Sequence, residues 1–264
     1  MDLVESEITD HSEFGRHPWE NSRKEVVTSL INKLIPRIKK EKNIVLDIGC
    51  GDTWLIEQLS SSFSLSNYIA VDTAFNDELI EKYRNKLDPS TFQVHAKLDD
   101  ALENKEEKVD LVLLLDVIEH IEDDISFLKW VQTFSNQITP STRFLITVPA
   151  FQSLFCKHDV FLGHYRRYTN KMLKKHIEEA GMEVEYIGYF FFSLLPLRFL
   201  DVMKEKLKLT DKDAKGVASW KEKSSDSIIK SVLIFDYKFT SFLRNLGIKL
   251  PGLSNYVICR PRAK

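Results

Sequence analysis

The sequence has little of several features that define large protein classes. Its three cysteines, Cys50, Cys156 and Cys259, show neither CxxC spacing nor the even count of a secreted disulfide framework, which favours a reducing compartment. The 37 Lys and Arg stand against 39 Asp and Glu, so the basic field that drives non-specific nucleic-acid binding is missing. We therefore expect a cytoplasmic protein that does not bind nucleic acid.

Long apolar runs are also missing. The N-terminus, MDLVESEITDHSEF, is acidic and lacks the basic start and apolar core of a signal peptide. The most apolar stretch, residues 186–197, contains Gly188 and Pro196 and is shorter than the roughly 20 residues that a spanning helix needs. The sequence predicts neither an export signal nor a transmembrane helix.

Helical and strand-like patterns alternate along most of the chain. Apolar residues recur at helical spacing between Lys24 and Lys40, and the same spacing recurs between later β-rich runs. The alternation predicts an α/β fold, a doubly wound and mostly parallel seven-stranded sheet with helices on both faces. The predicted strands are 43–47, 68–72, 92–96, 109–115, 144–148, 184–189 and 256–259.

Chain length and loop length suggest one domain with an insertion. The core is predicted at residues 24–189 plus 254–264, preceded by an N-terminal arm or lid at 1–23. Residues 190–253 exceed ordinary loop length and show a helical pattern from Ile228 to Leu246. We expect this stretch to be a largely helical insertion that serves as a substrate lid or as a dimer or membrane contact.

A glycine turn and three carboxylates indicate a ligand site. Ligands of parallel α/β sheets bind at the carboxyl ends of the strands, so Asp47, Asp72 and Asp116 should converge. In VLDIGCGDTWL, Trp54 replaces the third glycine of a dinucleotide fingerprint, and Asp47 and Asp52 would repel a pyrophosphate. An NAD-dependent oxidoreductase is thereby disfavoured. Carboxylates suit S-adenosylmethionine, which carries a sulfonium and an ammonium, and Asp72 can accept hydrogen bonds from ribose hydroxyls.

The segments VLDIGCGD, AVD ending in Asp72, and VDLVLLLDVIEHIEDD resemble the class I S-adenosylmethionine-dependent methyltransferases, which have a seven-stranded Rossmann-like fold. The resemblance covers about residues 24–189, and it departs from the family at Thr53, where a third glycine is common. It implies methyl transfer that leaves S-adenosylhomocysteine. It also implies cofactor-binding roles for Asp47, Gly49, Cys50, Gly51, Asp72, Asp99, Asp116 and Val117.

The acceptor is less well defined than the cofactor. VPAFQSLFCKHDVFLGHYRRYTNKML resembles methyltransferases of bacterial glycan, lipid or quinone-like small-molecule pathways, so a small-molecule, glycan or lipid-linked acceptor is expected. Neither the net charge nor any Asn-Pro-Pro-aromatic motif supports a nucleic-acid or protein acceptor. A non-catalytic binding or scaffold protein of the same fold is the alternative, although intact Gly49, Gly51 and Asp72 favour a working pocket.

Three histidines are candidate catalytic residues. Alignment of the acceptor with the methyl group can supply much of the rate acceleration, and a base is optional. If the acceptor is a hydroxyl, the candidates for its proton are His120, His158 and His164. His120 could equally position its loop, and Glu119 is similarly ambiguous. Because His158, Asp159 and His164 match no zinc spacing, we assign no metal.

The same loop after the fifth strand also contains basic and aromatic residues. Arg166, Arg167 and Tyr168 are candidates for acceptor binding, since a guanidinium binds carboxylate or phosphate through two hydrogen bonds. The alternative is a loop pinned to acidic neighbours. The apolar segment YFFFSLLPLRFL, within residues 186–200, predicts a covered surface: a lid over the acceptor, a homodimer contact, or a peripheral membrane contact towards a lipid-linked acceptor.

Overall fold

The protein contains a seven-stranded sheet, which a computed structural model describes over residues 16–34, 43–63, 66–103, 106–208 and 226–263. The strand order is β3-β2-β1-β4-β5-β7-β6, and β7 runs antiparallel to both of its neighbours. This confirms the predicted α/β, mostly parallel sheet. The strands are β1 Asn43–Ile48, β2 Ser66–Val71, β3 Phe92–His95, β4 Leu111–Leu115, β5 Arg143–Pro149, β6 Met182–Phe190 and β7 Ser254–Pro261.

Helices cover both faces of the sheet, as expected for a doubly wound fold. Within the described ranges they are α1 Pro18–Leu34, α2 Trp54–Ser62, α3 Asp77–Lys86, α4 Leu98–Leu102, α5 Asp124–Val131, α6 Lys157–Phe161, α7 Asn170–Glu179, α8 Leu194–Lys206 and α9 Asp226–Asn245. Short 3-10 turns occupy Ile118–His120 and Gln152–Leu154.

The two faces of the sheet have separate hydrophobic cores. Strand β4 contributes to both because its side chains alternate: Leu111 and Leu113 face the core under α1, α2 and α3, whereas Val112 and Leu114 face the core under α4, α5 and α7. All five residues of β4 are buried. Burial on both faces explains the continuous apolar run in the sequence.

The first helix begins earlier than its apolar pattern suggests. It starts at Pro18 and ends at Leu34, whereas the sequence predicts residues 24–40, of which 35–40 lie outside the described residues. Pro18 suits the first turn of a helix because its missing N–H has no intrahelical partner there. The Ser22 hydroxyl donates to the Pro18 carbonyl at 2.7 Å. Residues 18–20, in the sequence HPWE, are therefore the start of α1.

The chain between β6 and β7 is largely helical, as predicted, with α8 and α9 described and residues 209–225 outside the described part. Helix α9 packs against α1, and buried Leu233 and Tyr237 join the same core as Leu30. Arg244 donates to the Tyr189 carbonyl at 2.8 Å. The insertion is thus attached to the sheet by apolar and polar contacts.

The apolar segment at the start of the insertion divides into two parts. Phe190 and Phe191 are buried in the core, so the fold itself covers them. Leu197, Phe199 and Leu200 are 52–59% exposed. The covered surface that the sequence predicts is therefore the protein's own core for the first part, and the second part faces outwards.

Two glycines allow a test of the packing between β6 and β7. A Cβ atom on Gly252 would lie 2.2 Å from the Phe190 carbonyl oxygen, whereas a Cβ atom on Gly181, at a φ of +82°, would meet nothing within 4 Å. We expect Gly252→Ala to lower the free energy of unfolding by about 3 kcal/mol because backbone must move. Gly181→Ala should cost only about 1 kcal/mol of left-handed strain. Urea denaturation measures both, and equal losses would contradict this packing.

Candidate cofactor and acceptor site

The glycine turn after β1 is fixed to the end of β2. The N–H groups of Gly49 and Cys50 donate to the Val71 carbonyl at 2.8 and 3.2 Å, and the Gly51 N–H donates to Asp72 Oδ2 at 2.8 Å. Gly49 and Gly51 have φ angles of 73° and 60°, in the left-handed region that glycine adopts without strain. Three backbone donors thus hold the turn against the neighbouring strand.

Gly49 also brings the ends of β1 and β4 together. A Cβ atom at this position would lie 2.6 Å from Cγ2 of Val117, so only glycine allows such a close approach. Val117 follows Asp116, which directly follows β4. The structure therefore brings together two segments that the resemblance assigns to cofactor binding.

Thr53 occupies the position where the family often has a third glycine. Its φ of 63° is left-handed, which is unfavourable for a β-branched residue. The side chain is fully buried, and its hydroxyl donates to Glu57 Oε1 at 2.7 Å. The turn thus keeps a glycine-like backbone at Thr53, and the Glu57 hydrogen bond helps to hold it.

Asp47 and Asp72 line the edge beside the turn. Asp47, at the end of β1, is 3% exposed, and burial raises its pKa to about 7. Asp72 is partly exposed, and its Oδ1 accepts a hydrogen bond from the Ala74 N–H at 2.9 Å. An ionised carboxylate has about four acceptor positions, so Asp72 can accept further hydrogen bonds. Asp99 is exposed on the first turn of α4, after β3.

Arg23 on α1 and Arg16, two residues before α1, tie the start of this helix to the edge. Arg23 lies 3.0 Å from Asp116 Oδ2, and the Thr147 hydroxyl donates to the other carboxylate oxygen of Asp116 at 3.0 Å. Arg16 pairs with Asp52, beside the glycine turn, and lies over the Trp54 ring. The start of the chain's first described helix therefore lies against the turn and the end of β4.

The loop after β5 is organised around buried Asp159. This carboxylate contacts His164 Nδ1 at 2.9 Å, Arg167 Nε at 2.8 Å and the Cys156 N–H at 3.0 Å. Burial alone would raise the pKa of Asp159, but His164 and Arg167 hold it well below its usual value. Arg167 is only 6% exposed. It therefore supports the loop from inside.

Arg166 and Tyr168 make similar internal contacts around Asp124. Arg166 donates to the Ile121 carbonyl at 3.0 Å and lies 3.2 Å from Asp124 Oδ1. Tyr168 is fully buried, and its hydroxyl donates to Asp124 Oδ2 at 2.7 Å. Burial and the Asp124 contact raise the pKa of Tyr168. Contacts of this kind are those expected if the loop is held by acidic neighbours, which is the alternative to acceptor binding given in the sequence analysis.

Two of the three candidate histidines are adjacent. The rings of His120 and His164 meet edge to face with centroids 4.6 Å apart, whereas His158, on α6, stacks with Phe161. Glu119 lies beside the pair and is fully buried. Burial, reinforced by the charge of Asp116, raises the pKa of Glu119 well above its usual value. The sequence placed Glu119 near the site but gave no sign of this burial.

The buried carboxyl of Asp47 predicts a pH-dependent stability. Its pKa rises from 3.8 to about 7 on folding, so between these pH values the folded protein keeps a proton that the unfolded chain releases. The free energy of unfolding of the natural protein therefore falls as the pH rises from 4 to 7. Asn does not titrate, so the Asp47→Asn variant lacks this pH dependence. Its free energy of unfolding, relative to that of the natural protein, should therefore increase by about 1 kcal/mol for each pH unit in that window. Chemical denaturation at several pH values measures the gain, and a constant difference would contradict the assignment.

The described residues fit an adenosyl cofactor with a cationic end. The turn excludes a Cβ atom at Gly49, so backbone can approach a ligand closely. Asp72 and Asp116 supply negative charge around it, and the buried carboxyl of Asp47 adds a polar group beside them. A diphosphate would be repelled by the same carboxylates. The fit follows from the chemistry of these donors and acceptors.

Comparison with known proteins agrees with this chemistry. A family model described as a methyltransferase domain matches residues 19–187. No curated protein sequence matches the chain. An S-adenosylmethionine-dependent methyltransferase from Archaeoglobus fulgidus is 20% identical with a TM-score of 0.48, and the match covers 90% of this chain and 94% of that one.

Two further structures are similar in fold. A sarcosine dimethylglycine methyltransferase from Galdieria sulphuraria is 15% identical, covers 92% and 85% of the two chains and has a TM-score of 0.54. The plantazolicin methyltransferase BamL, in complex with a substrate analogue and S-adenosylhomocysteine, is 13% identical, covers 92% and 86%, and has a TM-score of 0.52. With its glycine turn, its acidic edge and a family match over residues 19–187, the chain belongs to the methyltransferase-domain family and is an S-adenosylmethionine-dependent methyltransferase.

Proposed function

We propose that this methyltransferase acts at a membrane surface, on a lipid-linked or long-chain acceptor. The observation that carries the proposal is an exposed apolar stripe along α9. The similar structures act on unlike molecules and share only the fold with this chain, so they do not select an acceptor. Indications of the acceptor therefore come from this chain's own strand-end carboxylates, from the loop after β5 and from the insertion.

The cofactor side follows from the acidic edge. S-Adenosylmethionine supplies an electrophilic methyl group on a sulfonium, and the protein has to hold it in line with the acceptor. Asp72 would accept hydrogen bonds from the ribose hydroxyls, Asp47 and Asp116 would face the methionine end, and Asp99 would lie towards the adenine. Residues 16–23 would cover this end of the crevice, since Arg23 already contacts Asp116.

The acceptor side lies at the end of β4. His120 ends the turn that follows Asp116, and His164 is held against it by the loop after β5. One of these two histidines would take the proton of an acceptor hydroxyl. Arg166, Arg167 and Tyr168 would act by fixing this loop through Asp124 and Asp159.

The stripe on α9 has the spacing of an interfacial helix. Six large apolar residues recur every three or four positions and therefore share one face. Each is between 47% and 68% exposed, although the opposite face, with Leu233 and Tyr237, is buried in the core. The exposed residues are Ile228, Val232, Phe235, Phe239 and Phe242 on the helix, and Leu246 directly after its end.

Helix α8 adds a second exposed apolar surface and links it to the acceptor loop. Exposed lysines accompany it at Lys204, Lys206 and Lys208. Its Glu205 accepts a hydrogen bond from the Lys157 N–H at 3.0 Å, and Arg198 donates to Cys156 Sγ at 2.9 Å. Its exposed apolar side chains are Leu197, Phe199, Leu200, Met203 and Leu207.

The mixture of apolar and basic residues favours a membrane over a second copy of the chain. Subunit interfaces are depleted in lysine, whereas helices that lie in a membrane surface carry lysine beside their apolar face and bind anionic lipids. Lys238, on α9, is exposed among the apolar side chains. In the described part of the chain, no helix is long and apolar enough to cross a bilayer. Contact would therefore be peripheral, and it would extend beyond the predicted residues 186–200 to α9.

Flotation with liposomes that contain anionic phospholipid tests membrane contact. We expect the natural protein to float and the double variant Phe235→Ser, Phe239→Ser to stay with the soluble fraction, because each change removes apolar area that the membrane buries. Trp130→Ser, which alters an exposed aromatic on α5, is the matched control and should float.

Gel filtration and methyl transfer complete the test. A stable dimer that does not float would contradict membrane contact and support the homodimer alternative. Radiolabelled methyl from S-adenosylmethionine should enter the organic phase of a membrane extract incubated with the enzyme. Cofactor binding without transfer to any fraction would support a binding or scaffold role instead.

A further inference from the structure

Glu119, His120 and His164 form a compact group of potential ligands beside the cofactor edge. One ligand atom from each of the three side chains can be chosen so that all lie within 4.8 Å of one another. Glu119 and His120 belong to the turn after β4, and His164 belongs to the loop after β5. The Tyr165 N–H donates to the Glu119 carbonyl at 2.8 Å, which holds this loop against the turn.

The carboxylate of Glu119 lacks the partners that burial requires. It is 0% exposed, and neither of its oxygens receives a hydrogen bond from a described side chain or from another residue's backbone. A buried carboxyl group without a hydrogen-bond partner is unfavourable even when it is protonated, and in its ionised form it needs a counter-charge or a metal ion. This is an independent indication that something binds between Glu119 and the two imidazole rings.

The positive groups around Glu119 are already paired. Arg23 lies 3.0 Å from Asp116, and Arg167 donates to Asp159 at 2.8 Å. Both arginines are close enough to Glu119 to act on it electrostatically, but neither donates a hydrogen bond to its carboxylate as it does to Asp116 or Asp159. A cation placed beside it would supply the missing charge.

His164 is oriented as metal-bound histidines are. Its Nδ1 lies 2.9 Å from the Asp159 carboxylate, which accepts the Nδ1 proton and leaves Nε2 with a lone pair. A carboxylate that fixes the tautomer and direction of a histidine is the usual outer partner in metal sites. Arg167 and the Cys156 N–H hold Asp159 in turn.

We propose that Glu119, His120 and His164 bind one divalent first-row transition-metal ion. Two imidazoles and one carboxylate suit zinc, iron, cobalt or manganese better than magnesium or calcium, which prefer oxygen ligands. Three protein ligands leave coordination positions open. If the proposed methyl transfer to a hydroxyl is right, an acceptor oxygen occupies one of them, where the ion would lower its pKa and fix its position, so that its proton would pass to solvent instead of to His120 or His164.

Sequence spacing could not show this group. Glu119 and His120 are adjacent, whereas His164 comes from a different loop, and no zinc motif has that arrangement. The sequence therefore led us to assign no metal. The tertiary fold creates the group by placing the loop after β5 on the turn after β4.

Calorimetric titration of the chelator-treated protein with CoCl2 tests the site, with the visible spectrum of bound Co2+ as a second readout. We expect one equivalent to bind. Glu119→Gln and His164→Gln should each weaken binding by about 100-fold or more, since changes even outside the ligand shell cost 10–100-fold. His120→Gln serves as a third variant, and thermal melts identify any variant that does not fold.

His158→Gln is the matched control, since His158 lies on the same loop but outside the group, and it should bind Co2+ like the natural protein. Absence of one-equivalent binding, or equal binding by the folded variants and the natural protein, would overturn the proposal. So would an equal loss in His158→Gln. The titration uses no cofactor, acceptor or lipid, so its result is independent of whether methyl transfer at a membrane is found.

Discussion

The attachment of the glycine turn to the end of β2 is the contact on which the site depends. Backbone N–H groups of residues 49–51 donate to Val71 and Asp72, and this fixes the turn only because Gly49 and Gly51 adopt left-handed backbone. Once the turn is fixed, the close approach of Gly49 to Val117 sets the position of the end of β4. The carboxylates to which we assign cofactor recognition are thereby placed by backbone geometry before any ligand binds.

The remaining parts of the protein surround that edge. Helix α1 reaches it through Arg16 and Arg23, and the loop after β5 reaches it through the turn that contains Glu119. Helix α8 is bonded to this loop, and α9 packs on α1, so both helices of the insertion are coupled to elements that border the site. The membrane contact that we propose for the insertion would therefore lie close to the site of methyl transfer.

Much of the fold could be predicted because it follows from local patterns. Alternating strand and helix signals predicted the sheet, and they also predicted that Asp47, Asp72 and Asp116 lie at the ends of strands on one edge. The start of α1 at Pro18 was missed because the apolar repeat begins later. The burial of individual side chains could not be predicted, because long-range packing decides it. Nothing in the sequence distinguishes buried Phe191 from exposed Phe199, or shows that Glu119 is buried.

If the glycine turn and its acidic edge select a sulfonium cofactor, equilibrium binding shows it most directly. Calorimetric titration with S-adenosylmethionine should show one site per chain. Asp72→Asn, which can still accept the Gly51 N–H, should bind about 10-fold more weakly because hydrogen bonds to a charged acceptor are lost. Absence of binding by the natural protein, or binding of NAD in its place, would contradict the account.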